Sequence, residues 1–140
     1  MMINKRNVRI VWGDCDPAGI VFYPRYFEMF DACISALFER ATGLTKYQML
    51  RSHGFSGYPV VEARARFLAP ARYGDDVVAE TDISAFRRSS FDVRHRVHNG
   101  GRLAVEGFET RVWVGRHPQD ANRLKAIPIP PEVIACFTRG

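Results

Sequence analysis

PRYFEMFDACISALFERAT, residues 24–42, is the stretch that decides the fold. Its apolar side chains recur at the spacing of an α-helix and cover most of the helix circumference. The main stripe contains Tyr26, Phe30, Cys33, Leu37 and Ala41, and Phe27, Ile34 and Phe38 widen it. Pro24 suits the first turn of a helix, and Gly43 suits its C-terminal cap. The pattern therefore predicts one long helix over residues 24–42 that is buried on several sides.

The chain after this helix changes from a helical period to a period of two. A short second helix is predicted first, because Thr45 and Gln48 can form a capping box and Gly54 can end the helix. Alternating apolar and polar residues then predict consecutive strands, with a hairpin signal at Asn99-Gly100-Gly101. The predicted strands cover residues 61–67, 76–84, 91–97 and 103–114. A polar loop over residues 116–125, a short strand and a helical turn from Pro131 complete the chain.

The order of these elements indicates the fold class. A further short strand is predicted before the long helix, at residues 8–12. A single helix that is apolar nearly all round needs a sheet curved about it. We therefore expect an α+β fold, a curved antiparallel sheet of about five strands wrapped around one long central helix. Since no repeat, low-complexity tract or linker interrupts the pattern, residues 1–140 are interpreted as a single domain.

Composition excludes several classes of protein. The chain has 140 residues, of which 46% are hydrophobic and 25% charged, values typical of a globular domain and not of disordered, collagen-like or coiled-coil chains. No apolar run approaches the roughly 20 residues that span a bilayer, and the polar N-terminus does not resemble a secretory signal. Three cysteines cannot all pair, which favours free thiols and a cytoplasmic location. The net charge of +5 permits an anionic partner, but no basic cluster with interleaved aromatic residues indicates nucleic acid.

The turn between the first strand and the long helix is the richest candidate site. Gly13-Asp14-Cys15-Asp16-Pro17-Ala18-Gly19 places two carboxylates at the entrance of a buried helix, where unpaired N–H groups can stabilise an oxyanion. A carboxylate beside such N–H groups is the minimum needed for acyl transfer. For Asp14, a bond to nearby backbone N–H groups is the favoured interpretation. For Asp16, the residues alone leave the structural and the catalytic interpretations open.

A longer stretch makes the chain recognisable. GDCDPAGIVFYP (residues 13–24), with Tyr26 and Asp31 behind it, closely resembles the signature of the 4-hydroxybenzoyl-CoA thioesterase family, whose members have the hotdog fold. The likeness continues through Gly57-Tyr58-Pro59 and through residues 86–91 and 123–127. The resemblance implies that Asp16 is the catalytic carboxylate, acting as nucleophile or general base on a thioester. It also implies that Tyr23 contributes its backbone N–H to the thioester oxygen.

The resemblance further implies a set of substrate-binding residues. Asp31, read as a buried carboxylate on the long helix, either accepts a hydrogen bond from a phenolic hydroxyl of the acyl group or has a structural partner. Tyr58 stands where the namesake has a small residue, so the acyl pocket differs there. Two arginines and the serine hydroxyl that follows them bind the phosphates of coenzyme A. They lie at the start of the predicted strand over residues 91–97. These residues are Arg87, Arg88 and Ser89.

The expected activity is therefore hydrolysis of a small aryl-CoA thioester, resembling 4-hydroxybenzoyl-CoA, to the free acid and coenzyme A. No cofactor or metal is expected, because coenzyme A is part of the substrate. The family resemblance also implies a homotetramer built as a dimer of dimers. No nucleic-acid or membrane partner is expected, because the chain has neither a basic cluster with interleaved aromatic residues nor an apolar run long enough to span a bilayer. The alternatives are a thioesterase for aliphatic acyl-CoA and a non-catalytic acyl-CoA binding module. A phosphatase of the aspartyl-phosphate type is disfavoured, because its doubly wound sheet does not match the consecutive strands.

Overall fold

A computed structural model describes residues 1–52 and 54–138 of the chain. The long helix α1 spans Pro24–Thr42, the short helix α2 spans Lys46–Leu50, and α3 spans Pro131–Thr138. The strands are β1 Ile3–Arg9, β2 Val60–Phe67, β3 Asp76–Phe86, β4 Ser90–Asn99, β5 Arg102–Val112, β6 Val114–His117 and β7 Asp120–Ala126. A single 3-10 turn at Trp12–Asp14 follows β1.

The main sheet has five strands in the order β1-β3-β4-β5-β2, and every neighbouring pair is antiparallel. Helix α1 crosses one face of this sheet. At the crossing point Phe30 stacks on His95 of β4 with ring centroids 4.2 Å apart, and its ring fills the space above Gly107 of β5. A side chain at position 107 would occupy the place of that ring, so glycine allows the helix to approach the sheet closely. The expected α+β architecture, a sheet of five strands with one long helix, is confirmed.

The helix caps follow the sequence signals. Gly43 has a φ of 72°, the left-handed conformation that glycine adopts without strain, and its N–H donates to the carbonyl of Glu39. The Thr45 side chain accepts from the Gln48 N–H, and the Gln48 side chain accepts from the Thr45 N–H, so the predicted capping box at α2 is present. Helix α2 ends at Leu50, four residues before Gly54. The two-residue turn Gly100-Gly101 joins β4 to β5 as predicted.

Two sequence-based predictions of secondary structure, one of a strand and one of a loop, were wrong. The first strand covers Ile3–Arg9 and not residues 8–12, because hydrogen bonds to β3 hold a stretch whose side chains are mostly polar. Residues 116–125 do not form a loop. They contribute to the hairpin of β6 and β7, and every residue of β7 is exposed, so this strand carries no alternating apolar signal.

The two edges of the main sheet differ in character. The β1 edge carries mostly polar side chains, among them Lys5, Asn7 and Arg9. The β2 edge and its end instead expose large apolar side chains, with Val61 63% and Phe67 50% exposed. An unpaired edge strand with exposed apolar residues is a surface on which another chain can pair. Within residues 1–52 and 54–138, no helix has both the length and the apolar character needed to cross a membrane.

Candidate active site

The loop before α1 folds back on itself as a tight hairpin. The Asp16 N–H donates to the Ile20 carbonyl at 2.9 Å, and the Phe22 N–H donates to the Asp14 carbonyl at 2.8 Å. Gly19 at the tip has a φ of 77°, which a residue with a side chain would adopt only with strain. The hairpin therefore brings the two aspartates alongside the residues that lead into the helix.

The two aspartates of the hairpin have different surroundings. Asp14 Oδ2 accepts the Val11 N–H at 3.0 Å, in agreement with the structural interpretation of this residue. Asp16 is half-buried, and its Oδ1 accepts the Ala18 N–H at 2.9 Å. In the part of the chain that the structure describes, Asp16 Oδ2 has no hydrogen-bond partner. One oxygen of Asp16 therefore orients the carboxylate while the other is available to a substrate or a water molecule.

Tyr23 caps the N-terminus of α1 and offers a free backbone donor. Pro24 has no N–H, the Arg25 N–H donates to the Phe22 carbonyl, and the Tyr26 N–H donates to the Tyr23 carbonyl. Among the described residues, no backbone acceptor receives the Tyr23 N–H. Because the N-terminal end of a helix carries partial positive charge, this N–H is suited to an anionic oxygen.

An apolar cavity of about 280 Å³ adjoins this donor. Ile20, whose carbonyl accepts the Asp16 N–H, lines the cavity together with the capping residue Tyr23, Tyr26 of α1 and residues 67–71. Tyr23 is 59% exposed. The hairpin carrying Asp16 and the start of α1 therefore share one apolar cavity.

Asp31 is not the buried carboxylate that the sequence indicated. Its side chain is 60% exposed in the single chain, because Phe30 and Ile34, and not position 31, belong to the buried stripe of α1. Its Oδ1 accepts a hydrogen bond from Nη1 of Arg111, on β5, at 3.1 Å. Together with Tyr58 and Lys46, Asp31 and Arg111 line a second cavity of about 360 Å³. The sequence did not indicate this arginine partner.

Tyr58 lines the same cavity, although most of its side chain is buried in the core. The residue is only 3% exposed, its ring stacks on Phe38 at 4.9 Å, and its hydroxyl lies 3.3 Å from Ser35 Oγ. Burial raises the pKa of the Tyr58 hydroxyl above its ordinary value, so this group is neutral at physiological pH. The tyrosine therefore contributes a fixed wall to the cavity.

The residues predicted to bind phosphate lie in the turn between β3 and β4, and not at the start of a strand. The Arg87 guanidinium holds both oxygens of Asp92 at 2.9 and 2.7 Å and also donates to Ser90 Oγ. Arg88 is exposed, and within residues 1–52 and 54–138 its side chain has no partner. Ser89 lies next to it and is half-buried. Arg88 is therefore available to an anion, whereas Arg87 stabilises the turn.

A buried polar chain behind Asp31 was missed by the sequence analysis. His95 contacts Thr81 Oγ1 at 2.8 Å and Glu109 Oε1 at 2.7 Å, and Glu109 in turn accepts from Arg111 at 3.0 Å. Burial lowers the pKa of His95, against the effect of Glu109, so the ring is neutral and its Nε2–H donates to the carboxylate. The Thr81 hydroxyl then donates to Nδ1. A signal was present, since Glu109 and Arg111 share the inward-facing register of Val105 and Gly107, but no sequence rule assigned them partners.

The buried row of Thr81, His95, Glu109 and Arg111 predicts that acid destabilises the protein. Burial raises the pKa of Glu109, but the hydrogen bonds and charges of His95 and Arg111 outweigh it and leave that pKa below its ordinary value. The pKa values of His95 and Glu109 are both lower in the folded protein than in the unfolded chain. The unfolded chain therefore binds protons more readily, and acid favours unfolding. Stability contributed by His95 is complete above about pH 6.5 and decreases as the pH falls below it, by at most about 1.4 kcal/mol per pH unit. Glu109 adds a further loss at lower pH.

The measurement is the thermal unfolding midpoint between pH 8 and pH 5. We expect a plateau above pH 7 and a fall below pH 6.5. His98→Gln is the matched control, because His98 lies on the same strand but is partly exposed, and it should keep the fall. His95→Gln should lower the plateau and make the curve flatter between pH 7 and pH 5. A midpoint that rises on acidification would contradict the prediction.

No group of three or more His, Cys, Asp or Glu suited to a metal ion is found among the described residues.

A family model described as the thioesterase-like superfamily matches residues 10–137. The chain belongs to this superfamily. This membership confirms the predicted family relationship and the predicted class of enzyme, a thioester hydrolase.

Individual relatives of this thioesterase-like chain agree with the assignment. It is 39% identical over 132 residues to 4-hydroxybenzoyl-CoA thioesterase of Pseudomonas sp. strain CBS-3, covering 90% of this chain and 91% of that protein. A crystal structure of a 4-hydroxybenzoyl-CoA thioesterase mutant complexed with 4-hydroxybenzoyl-CoA matches with a TM-score of 0.87 and 36% identity over 96% of this chain and 98% of that one. A gentisyl-coenzyme A thioesterase matches with a TM-score of 0.81 and 31% identity, covering 94% and 99%. The predicted hotdog fold is thereby confirmed.

Proposed function

We propose that this protein hydrolyses a hydroxylated aryl-CoA thioester, resembling 4-hydroxybenzoyl-CoA, to the free acid and coenzyme A. The observation that carries the proposal is that, among the described residues, one Asp16 carboxylate oxygen and the Tyr23 N–H at the helix N-terminus are both without a partner, and that Ile20 of the same hairpin and Tyr23 line one cavity. The relatives that act on hydroxylated aryl-CoA thioesters support the choice of acyl group.

The chemistry follows from these two groups. As nucleophile, the Asp16 carboxylate adds to the thioester carbonyl, coenzyme A leaves as the thiolate, and water then hydrolyses the mixed anhydride. As general base, Asp16 instead takes a proton from the attacking water and passes it to the departing sulfur. In either route the carbonyl oxygen becomes negative, and the Tyr23 N–H stabilises it with the partial positive charge of the helix end. Neither route needs a cofactor or metal, so coenzyme A enters only as part of the substrate.

The phosphates of coenzyme A and the hydroxyl of the acyl group bind to the remaining predicted site residues. Arg88, without a side-chain partner in the described chain, and the adjacent Ser89 hydroxyl bind a phosphate of coenzyme A. Arg87 supports them by holding the turn to Asp92. Asp31 accepts the hydrogen bond of the acyl hydroxyl, and Tyr58 forms a wall of that pocket.

The site needs a second copy of the chain. Asp31 lies eight residues, roughly 12 Å, along α1 from Tyr23, and the cavity that Asp31 lines shares no lining residue with the cavity beside Tyr23. One chain therefore uses Asp16 and Tyr23 on a substrate whose hydroxyl meets Asp31 of the other chain. The exposed β2 edge, with Val61 and Phe67, is the surface through which the two chains pair antiparallel.

Two such dimers form the tetramer, through the outer sheet face on which Arg64 lies over Phe108.

The cytoplasm is the proposed compartment, supported by three cysteines that are all free.

The test is thiol release from a panel of acyl-CoA thioesters, followed with a disulfide reagent. The panel contains 4-hydroxybenzoyl, benzoyl, phenylacetyl and aliphatic esters, each also tested with Asp16→Ala. We expect the highest kcat/KM for the hydroxylated aryl ester. A preference for aliphatic esters would keep the thioesterase and overturn the acyl assignment. Release no faster than with Asp16→Ala would overturn catalysis and leave an acyl-CoA binding module.

A further inference from the structure

Arg111 is a buried cation whose hydrogen-bonding capacity is directed at the protein. Its side chain is 3% exposed. The Nε and Nη2 groups face the two oxygens of Glu109 at 3.4 and 3.0 Å, and Nη1 donates to Asp31 Oδ1 at 3.1 Å and to the Tyr58 carbonyl at 3.3 Å. Four donor directions are thus occupied by protein acceptors. The guanidinium therefore organises its neighbours and is not itself a substrate ligand.

The groups behind Arg111 hold it firmly in place. Glu109 has a 2% exposed side chain and is fixed on its far side by His95, which is in turn bonded to Thr81. These residues lie on β3, β4 and β5, the centre of the sheet, and Phe30 of α1 stacks on His95. A buried carboxylate is stable only when it is paired and hydrogen-bonded, and Arg111 supplies that pairing. The position of the guanidinium is therefore set by the sheet and not by a loop.

Arg111 fixes two walls of the cavity of about 360 Å³ with one nitrogen. One wall is Asp31, an exposed residue of α1 whose Oδ2 has no partner in the described chain. The other wall is the backbone of Tyr58, in the segment that leads into β2. An exposed aspartate without a partner would sample several rotamers, whereas the bond to Arg111 selects one of them. The free Oδ2 is thus held at one place as a charged hydrogen-bond acceptor.

We infer that Arg111 is the positioning residue that determines the preference for hydroxylated acyl groups. By holding Asp31 Oδ1 and the Tyr58 carbonyl, it presents Asp31 Oδ2 to the hydroxyl of an acyl group bound against the cavity. The inference rests on the proposed function and extends it from the residue that accepts the hydroxyl to the one that aligns it. Arg111 makes no contribution to the step at the thioester carbon.

The test compares kcat/KM for 4-hydroxybenzoyl-CoA with kcat/KM for benzoyl-CoA, which lacks only the hydroxyl. Arg111→Lys keeps a positive charge beside Glu109 but loses the planar fork that reaches three acceptors at once. We expect this variant to lower the ratio of the two constants by about tenfold or more, the value of a hydrogen bond to a charged group. The kcat/KM for benzoyl-CoA should change by less than about threefold.

A second variant covers the case in which Arg111→Lys does not fold. Glu109→Gln combined with Arg111→Gln removes both buried charges together, so that neither is left unpaired. It should lower the same ratio. The effect should also depend on Asp31: in an Asp31→Asn background, Arg111→Lys should leave the ratio unchanged, because the acceptor it aligns has lost its charge.

The outcomes separate this inference from the proposed function. If the unaltered enzyme hydrolyses both esters equally well, the acyl assignment fails and the inference fails with it. If the enzyme prefers the hydroxylated ester, and Asp31→Asn removes the preference while the Arg111 variants slow both esters by the same factor, only the inference is overturned. Arg111 would then stabilise the fold without directing Asp31.

Discussion

Replacement of Asp16 by asparagine is expected to lower kcat for the preferred acyl-CoA about 10²–10⁴-fold, the contribution typical of a positioned general acid or base. Asparagine can still accept the Ala18 N–H, so the hairpin keeps its shape. It can neither take a proton from water nor form the mixed anhydride. The measurement is steady-state thiol release at saturating substrate, with the thermal midpoint and oligomeric state checked on the same sample.

Asp14 offers a matched control two residues away. Asp14→Asn also retains its main contact, in which the side-chain oxygen accepts the Val11 N–H. We expect its kcat to change by only a few-fold, because this carboxylate has a structural role in the turn. Equal losses in the two variants would indicate that the hairpin geometry and not the Asp16 carboxylate limits hydrolysis. Near-normal turnover by Asp16→Asn would reject Asp16 as the catalytic residue.

An inactive variant and a weakened variant should recover activity when they are assembled together in one dimer. Asp16→Ala lacks the carboxylate that acts on the thioester, and Asp31→Ala lacks the acceptor for the acyl hydroxyl. If each site takes Asp16 from one chain and Asp31 from the other, a mixed dimer contains one site with both residues intact. After refolding the two variants together at equal concentration, half of the dimers are mixed, so about a quarter of the unaltered activity toward 4-hydroxybenzoyl-CoA should return.

The control for this experiment places both substitutions in one chain. Refolding that double variant with Asp16→Ala can produce no site with both residues intact, so no activity should return. The Asp31→Ala protein alone sets the background. If the activity of the mixture is only the average of the activities of its two parent variants, each chain contains its own complete site. The proposal that the two chains of a dimer share each site is then rejected.

The long helix was readable from local pattern alone, because its apolar stripe, its proline and its C-terminal glycine all lie within one continuous stretch. Residues 24–42 were predicted and are observed as Pro24–Thr42. The hairpin turn at Gly100-Gly101 and the capping box at Thr45 are equally local and were also predicted. The strand β7 was not, since backbone pairing with β6 stabilises it while all its side chains face solvent.

The features of the candidate active site also separate into those that local sequence indicated and those that only the tertiary structure showed. The sequence by itself determined the two aspartates before the helix, the helix N-terminus that follows them and the family to which this motif belongs, because these residues are neighbours along the chain. Only the tertiary structure decided that Asp31 is exposed and bonded to Arg111, 80 positions away, and that Arg87 is held by Asp92. The Asp31–Arg111 contact depends on how α1 crosses the sheet at Gly107, and packing between segments that are far apart in sequence settles that crossing. The Arg87–Asp92 pair depends on the register of β3 and β4 at their turn, which no local pattern indicated.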